Sequence, residues 1–134
     1  MGLIYLDSCL LIYAIEDDPL YGRAVRQQLA AIPNATMVIS PLVKFECLVG
    51  PMRSGNLQLQ QYYEAALAHL AVLPMPEPVF LLGAQIRAHF GLKTPDALHL
   101  ATAQFHNCEA LWTHDARLAT ASHGLAVNVL APTD

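Results

Sequence analysis

The stretch LIYLDSCLLIYAI, residues 3–15, joins a short apolar segment to a second one through an acid and a serine. Residues 3–6 favour a strand that is buried on both faces, because almost no polar residue alternates with the apolar ones. Asp7 and Ser8 end this strand, and the residues after them favour a buried helix over 9–16. A buried strand that leads directly into a helix is typical of a parallel sheet in an α/β domain.

The rest of the chain repeats this alternation of short apolar strands and helices. Further strands are predicted at 36–40, 110–113 and 126–130. Helices are predicted at 20–32, 41–50, 56–73, 79–90 and 94–106, with a short one beginning at Arg117. The sequence therefore predicts an α/β fold, an α/β/α sandwich with a short, mostly parallel central sheet, forming one domain over residues 1–134.

The composition limits the classes of function. Only 13% of the residues are charged, whereas about 25% is typical of soluble domains. This predicts that part of the surface is buried in a homodimer or against a partner, the alternative being an unusually apolar monomer. A net charge of −4 argues against a protein that coats nucleic acid, but not against an enzyme that contacts phosphates through a metal ion.

The cysteines and the first residues predict a cytoplasmic location. Cys9, Cys47 and Cys108 are widely separated and form no CxxC pair, which favours buried thiols in a reducing compartment. The first residues lack a basic region, and Asp7 interrupts their apolar run, so no signal peptide is expected. The long apolar stretches contain charged residues, and no membrane span is expected.

Two acids follow predicted strands. Asp7 comes directly after the first strand, and Asp115 follows the 110–113 strand by one residue. Ligands of open parallel sheets bind beyond the carboxyl ends of the strands, so we expect these two carboxylates to face one another. The alternative for each is an N-cap, because a helix follows both.

Glu46 occupies an unusual position in the predicted helix 41–50. Its neighbours at helical spacing are Leu42, Val43 and Val49, so the carboxylate is expected on the apolar side of the helix. An ionised group there is costly unless something compensates its charge. A core-facing glutamate with no partner is less common than one in a functional site.

Asp96 lies at the start of the helix predicted for 94–106. Thr94 is the expected cap and Pro95 the expected first helical residue. An acid in a first turn interacts favourably with the helix dipole, by about 0.3–1 kcal/mol, and this alone would account for it. The same helix start, however, can face the crevice beyond the strands.

Convergence of these four acids would require a cation. Unneutralised carboxylates repel and raise one another's pKa, and oxygen-only ligands favour Mg²⁺ or Mn²⁺ over zinc. Such an ion polarises a phosphoryl oxygen and generates an attacking hydroxide from water. The chemistry implied is hydrolysis of phosphodiester bonds.

With these residues in view, the sequence resembles the PIN-domain ribonucleases, and especially the VapC-type toxins of bacterial toxin–antitoxin systems. The resemblance is carried by four segments in order, YLDSCLLIYAIEDDP (5–19), SPLVKFECLVG (40–50), TPDALHLATA (94–103) and LWTHDARLA (111–119). Each motif alone is weak, but the ordered set covers nearly the whole chain.

The resemblance implies a PIN-like fold and a Mg²⁺ or Mn²⁺ site formed by Asp7, Glu46, Asp96 and Asp115. Asp7 and Asp96 would be the direct ligands, and Ser8 and Thr113 would support the site through hydrogen bonds. The implied activity is single-strand-selective endoribonuclease cleavage, commonly of tRNA or rRNA. The implied partners are a small antitoxin and a second copy of the chain.

The sequence departs from the family pattern at two positions. Cys9 and His114 stand where asparagine is common, and neither change removes a carboxylate. Cys9 is expected to pack. His114 is expected to hold its loop, with a general base as the alternative. Arg53, Lys93 and Arg117 are candidates for contacts with RNA phosphates, although a solvated surface position is the more common role for any one such residue.

Three other functions compete with that of a metal-dependent endoribonuclease. A receiver-like phosphoacceptor needs a lysine at a strand end, and neither Lys44 nor Lys93 is so placed. A phosphatase of the haloacid-dehalogenase type needs a second aspartate where Cys9 stands. A catalytically degenerate PIN-like binding module remains the alternative, and the presence of all four acids argues against it.

Overall fold

The computed structural model describes residues 2–130, so Met1 and residues 131–134 of the predicted domain lie outside the described part. The strands are β1 (Leu3–Leu6), β2 (Thr36–Ile39), β3 (Ala71–Val72), β4 (Ala110–Thr113) and β5 (Ala126–Asn128). The helices are α1 (Ser8–Ile15), α2 (Gly22–Ala30), α3 (Pro41–Ser54), α4 (Leu57–Leu67), α5 (Glu77–Phe90), α6 (Thr94–Phe105) and α7 (Ala116–Ala121). Most boundaries lie within one or two residues of those predicted.

The five strands form one parallel sheet in the order β3-β2-β1-β4-β5. Strand β1 is central, and Tyr5 pairs with Val38 of β2 on one side and Leu111 of β4 on the other. The predicted fold class is therefore confirmed. Since β1 and β4 are adjacent and parallel, whatever follows their carboxyl ends is brought to the same edge.

The sheet and α6 form the centre of the core. Leu6, Ile39 and Leu111 of the sheet are buried, as are Leu100 and Ala101 of α6. Each fully buried leucine contributes roughly 1.5–3 kcal/mol to folding. The buried residues of α6 belong to the same core as those of the sheet, and this packing positions the polar side chains that α6 carries. Among residues 2–130, no helix combines the length and apolar character that crossing a membrane requires.

The predicted end of the helix at Gly50 and Pro51 is wrong. Helix α3 continues through both residues to Ser54 and ends at Gly55, which has φ 69°. Pro51 is buried, and its packing compensates for the hydrogen bond that its missing N–H cannot donate. Gly55 adopts the left-handed conformation that commonly ends helices.

The predicted helix over 56–73 is wrong in its last part. Helix α4 ends at Leu67, and Ala71 and Val72 form strand β3, which pairs with Val38 and Ile39 of β2. The Leu73 N–H also donates to the Ile39 carbonyl, at 2.8 Å. The edge of β2 offers backbone hydrogen bonds to Ala71 and Val72. These bonds outweigh the helical preference of the segment.

Candidate metal centre

The carboxyl ends of β1 and β4 bring together two of the acids predicted to meet. Asp7 directly follows β1, and its backbone N–H donates to the Trp112 carbonyl of β4 at 2.9 Å. Asp115 follows β4 and precedes α7. Both side chains line one cavity, although they are far apart in sequence.

All four predicted acids line this cavity, whose volume is about 480 Å³. Its walls are formed by Asp7, Ser8, Cys9, Tyr13, Glu46, Asp96, His114, Asp115 and Ala116. No lysine or arginine of residues 2–130 is among them. The predicted carboxylates are thus together, with no basic side chain of the described chain lining the cavity beside them.

Hydrogen bonds from neighbouring hydroxyl groups hold Asp7 in place. Asp7 is only 7% exposed, and Thr113 Oγ1 donates to its Oδ2 at 2.7 Å. The same Thr113 oxygen accepts from the Asp115 N–H at 3.0 Å. Ser8 Oγ lies 3.4 Å from Asp7 Oδ1 and 2.9 Å from Glu46 Oε1. Thr113 therefore links Asp7 to Asp115, while Ser8 links Asp7 to Glu46.

Glu46 projects from α3 into the cavity and is compensated there. Its Oε1 atom accepts from Ser8 Oγ at 2.9 Å and lies 2.6 Å from His99 Nε2. Partial burial raises the pKa of Glu46, but the hydrogen bond and charge of His99, together with the bond from Ser8, lower it below its ordinary value. Glu46 is therefore held as a carboxylate.

Asp96 differs from the other three acids because it forms no side-chain hydrogen bond within residues 2–130. Partial burial raises its pKa, and the negative charges of Asp115 and Asp7 raise it further. A cation bound among the acids would act in the opposite direction. The oxygen-only set of carboxylates and this raised pKa both fit a divalent metal ion.

The start of α6 differs from the predicted capping arrangement. Lys93 is the N-cap and its side chain forms no capping hydrogen bond, while Thr94 is already helical. Proline is tolerated throughout the first turn, because N–H groups there have no partner within the helix. Thr94 as the cap and Pro95 as the first helical residue are therefore both wrong, although Asp96 does lie in the first turn.

The N-cap alternative applies to Asp115 and not to Asp7. Asp115 Oδ1 accepts from the Arg117 N–H at 2.9 Å and from the Leu118 N–H at 3.4 Å. Asp7 occupies the N-cap position of α1 but forms no capping hydrogen bond. Capping thus occupies one oxygen of Asp115, while both oxygens of Asp7 face groups of the site.

His99 was not identified from the sequence. It is 1% exposed, and its Nε2 lies 2.6 Å from Glu46 Oε1 and 3.8 Å from Asp7 Oδ1. Burial lowers the pKa of His99, but the Glu46 hydrogen bond and the nearby carboxylates outweigh this and raise it above its ordinary value. The sequence feature that could have identified His99 is its i, i+3 spacing from Asp96, which places both side chains on one face of a helix.

The two departures from the family pattern, Cys9 and His114, line the cavity. Burial and the charge of Asp7 raise the pKa of Cys9 to about 12, so its thiol is neutral. His114 Nδ1 lies 2.9 Å from the Tyr13 hydroxyl, and its ring centroid is 4.5 Å from that of Tyr21. These contacts support the interpretation that His114 holds its loop.

None of the three basic residues proposed for RNA contacts lines the acidic cavity. Arg53 lies in the last turn of α3, and Lys93 precedes α6; both are exposed. Arg117 lines a neighbouring cavity of about 510 Å³, and Ala116 is common to the two cavities. Arg117 is therefore the one that lies next to the acids.

Comparisons with known proteins extend over nearly the whole chain. A family model described as the PIN domain matches residues 4–124. Ribonuclease VapC46 of Mycobacterium tuberculosis is 32% identical, over 99% of this chain and 100% of that protein. A chain of a toxin–antitoxin complex from Klebsiella pneumoniae is 25% identical with a TM-score of 0.79, over 94% of this chain and 97% of that one. A chain of VapBC2 from Rickettsia felis, crystallised with a DNA fragment from their promoter, has the same fold: 18% identity, TM-score 0.79, over 93% and 97%.

Proposed function

The chain belongs to the PIN-domain family, and we propose that it is a metal-dependent endoribonuclease, the toxin of a toxin–antitoxin pair. The resemblance to this family is confirmed over residues 4–124. The observation that carries the proposal is the meeting of Asp7, Glu46, Asp96 and Asp115 around one cavity that no lysine or arginine of residues 2–130 lines. A ribonuclease relative of almost equal length supports the choice of RNA as the substrate.

The four acids would hold Mg²⁺ or Mn²⁺, because both ions prefer oxygen ligands. Asp7 and Asp96 are assigned as direct ligands, and Glu46 and Asp115 as ligands that act directly or through water. When bound, the ion supplies a Lewis acid for the scissile phosphate and lowers the pKa of the attacking water. Mg²⁺ commonly keeps several waters and takes one or two carboxylates, which agrees with this division of roles.

The chain's own residues would orient and deprotonate the water. Glu46 has one oxygen, Oε1, engaged by Ser8 and His99, which leaves Oε2 for a water in the cavity. Asp115 likewise engages Oδ1 in capping α7. Either acid can accept the proton of a water that attacks phosphorus, while Thr113 and Ser8 keep Asp7 aligned.

The binding of RNA would depend on local contacts, because the net charge of −4 provides no general attraction for phosphates. We assign Arg117 the first contact, since it lies beside the acids. Lys93 and Arg53 would contact phosphates farther along the strand.

The proposed protein partners are a small antitoxin and a second copy of the chain, both in the cytoplasm. A toxin–antitoxin complex at 25% identity supports the antitoxin. Large apolar side chains lie on the surface, including Leu20 at 80%, Phe45 at 65% and Leu81 at 60% exposure. Their burial between copies or beneath a partner would explain the low content of charged residues.

The alternative is a binding module that keeps the fold without catalysis. Loss of catalysis would remove the reason to hold four carboxylates together, since their repulsion destabilises the fold. Asp96 retains its unfavourable position, with a raised pKa. The geometry therefore favours the enzyme.

Cleavage mapping in cells tests the proposal. Total RNA would be sequenced for new 5′ ends after induced expression of the wild-type chain and of Asp7→Asn, with both proteins at matched levels. We expect discrete cleavage sites with the wild type and none with the variant. Equal cleavage by a folded Asp7→Asn variant would contradict the proposed site. If neither the wild type nor the variant cleaved RNA, the proposed activity would be contradicted.

A further inference from the structure

A continuous chain of buried hydrogen-bonding groups leads into the site from the carboxyl end of the neighbouring strand β2. Ser40, at the carboxyl end of β2, is the N-cap of α3, where its Oγ accepts from the Val43 N–H at 3.4 Å. Ser40 Oγ lies 2.7 Å from the Tyr5 hydroxyl of β1. That hydroxyl lies 2.6 Å from His99 Nδ1, and His99 Nε2 lies 2.6 Å from Glu46 Oε1.

These groups are almost completely removed from water. Ser40 and Tyr5 are 0% exposed, and His99 is 1% exposed. A buried polar group without a partner costs about 1–3 kcal/mol, so each of these groups has to be satisfied by the next. A simple apolar replacement at Tyr5 or His99 would have filled the core without this requirement. The presence of polar groups at these buried positions therefore indicates a role beyond packing.

The acceptor-only chemistry of a carboxylate fixes the direction of the last bond. Glu46 Oε1 accepts from His99, so His99 Nε2 carries a proton in either charge state of the ring. Burial raises the pKa of the Tyr5 hydroxyl, which keeps its proton. The neutral ring then accepts from Tyr5 at Nδ1, and Tyr5 accepts from Ser40. Every proton has one acceptor in this arrangement.

The arrangement leaves one oxygen of Glu46 for chemistry. Oε1 receives both Ser8 Oγ and His99 Nε2, while Oε2 forms no hydrogen bond within residues 2–130. The chain of bonds also begins and ends on α3, since Val43 and Glu46 are less than one helical turn apart. These hydrogen bonds connect the Glu46 carboxylate to the start of its own helix through Tyr5 of β1 and His99 of α6. This connection restricts rotation of the Glu46 side chain.

We infer that His99 is a positioning residue that aims Glu46 Oε2 into the cavity, and that Tyr5 and Ser40 hold the His99 ring in the orientation this requires. The inference rests on the proposed function, which gives Glu46 its role toward the metal and the water. His99 is not itself a metal ligand, because a protonated Nε2 has no lone pair to offer. Groups that orient the ligands of a metal site change affinity or activity by about 10- to 100-fold.

The first test is the proton on His99 Nε2 in the wild-type protein. Long-range ¹H–¹⁵N correlation spectra, assigned with His99→Gln, distinguish the protonated from the unprotonated ring nitrogen. We expect Nε2 to be protonated without metal and to remain so in saturating Mg²⁺. Loss of this proton on adding Mg²⁺ would identify His99 as a ligand and overturn the inference.

The second test compares three variants with a matched control. His99→Leu is expected to lower kcat, and Mn²⁺ affinity measured by calorimetry without RNA, by about 10- to 100-fold. His99→Gln should recover most of both, since its amide nitrogen can replace Nε2 as a donor. Tyr5→Phe should lower kcat more than Tyr63→Phe, which removes an equally buried hydroxyl whose partner is Glu16, outside the cavity.

The outcomes separate this inference from the proposed function. Folded His99→Leu protein with wild-type kcat and Mn²⁺ affinity would overturn the inference, as would equal effects of Tyr5→Phe and Tyr63→Phe on kcat. If His99→Leu does not fold, the two tyrosine variants and the Nε2 proton decide the matter. A wild-type protein that binds Mn²⁺ but cleaves no RNA would contradict the proposed activity, while the Nε2 proton and the Mn²⁺ affinities would still test His99.

Discussion

His99 Nε2 lies 2.6 Å from Glu46 Oε1, although the two residues lie on different helices and are 53 positions apart in sequence. The contact joins α3 to α6 beneath the carboxyl end of β1. Asp7, at that end, is held by Thr113 through an equally short bond of 2.7 Å. With Asp115, which caps α7, three of the four acids are positioned by protein groups before any ion binds.

From this we predict that the fold persists without metal and that metal stabilises it further. Circular dichroism in EDTA should match that in Mg²⁺, because hydrogen bonds hold Asp7, Glu46 and Asp115 without an ion. Mn²⁺ at 100 times its dissociation constant should raise the free energy of unfolding by about 2.7 kcal/mol. Urea unfolding in EDTA and in Mn²⁺ measures this. An unchanged midpoint at millimolar Mn²⁺ would count against the site.

Asp96→Asn is predicted to stabilise the metal-free protein. The pKa of Asp96 is raised in the folded state, so its contribution to stability is present at low pH and is lost as the pH rises through that pKa. Asparagine carries no charge to repel Asp115 and Asp7. In EDTA the variant should melt a few degrees above the wild type at neutral pH, with a smaller gap in mild acid.

The matched control for this prediction is Asp17→Asn, which removes a carboxylate that has 77% side-chain exposure and lies outside the cavity. It should give no stabilisation, because its partner is Arg26 rather than another acid. A gap between Asp96→Asn and wild type that shrinks as the pH rises would contradict the electrostatic explanation.

Thr113→Val is predicted to destabilise the protein and weaken the site. Thr113 donates to Asp7 Oδ2 and accepts from the Asp115 N–H, and valine has nearly the same shape without the hydroxyl. The loss of a bond to a charged group costs about 1.5–3 kcal/mol, measured by urea unfolding. Thr113→Ser keeps the hydroxyl and should retain most of the stability. Equal stability of the two variants would show that the hydroxyl is unimportant.

Gly50→Ala tests the unexpected course of α3. A Cβ atom built on Gly50 meets no heavy atom within 4 Å apart from the neighbouring backbone of its own helix, and the residue is inside that helix. Alanine should therefore stabilise the protein by about 0.5–1 kcal/mol. Gly55→Ala, at φ 69°, should destabilise it by a similar amount. If the helix ended at Gly50, as the sequence suggested, the Gly50→Ala change would be destabilising instead.

The sequence was sufficient to place the four acids but not to explain how they are held. Asp7 and Asp115 were predictable because strand ends of a parallel sheet share one edge. Glu46 was predictable because an acid among apolar neighbours needs compensation. The compensating group, His99, lies in a largely apolar helix, and its partner Tyr5 lies in an apolar strand. Nothing in the sequence indicates that these two side chains meet. Only the packing of α6 under β1 brings them together.

Strand β3 shows a second limit of the sequence. Ala71 and Val72 follow helix α4 closely, and nothing local separates them from a continuing helix. Their pairing with Val38 and Ile39 satisfies the edge of β2, which is a requirement of the sheet rather than of the segment itself. A two-residue strand of this kind is set by tertiary contacts alone.

The most direct test of the central claim is cleavage of a labelled single-stranded RNA by the purified protein, with Asp96→Asn at equal folded concentration. We predict cleavage in Mg²⁺ or Mn²⁺ and none in EDTA. The rate for Asp96→Asn should be at least ~100-fold lower, because removing a metal ligand should reduce activity at least as much as removing a group that orients a ligand. Cleavage by folded Asp96→Asn at the wild-type rate, with metal unchanged, would contradict a catalytic site formed by these four acids.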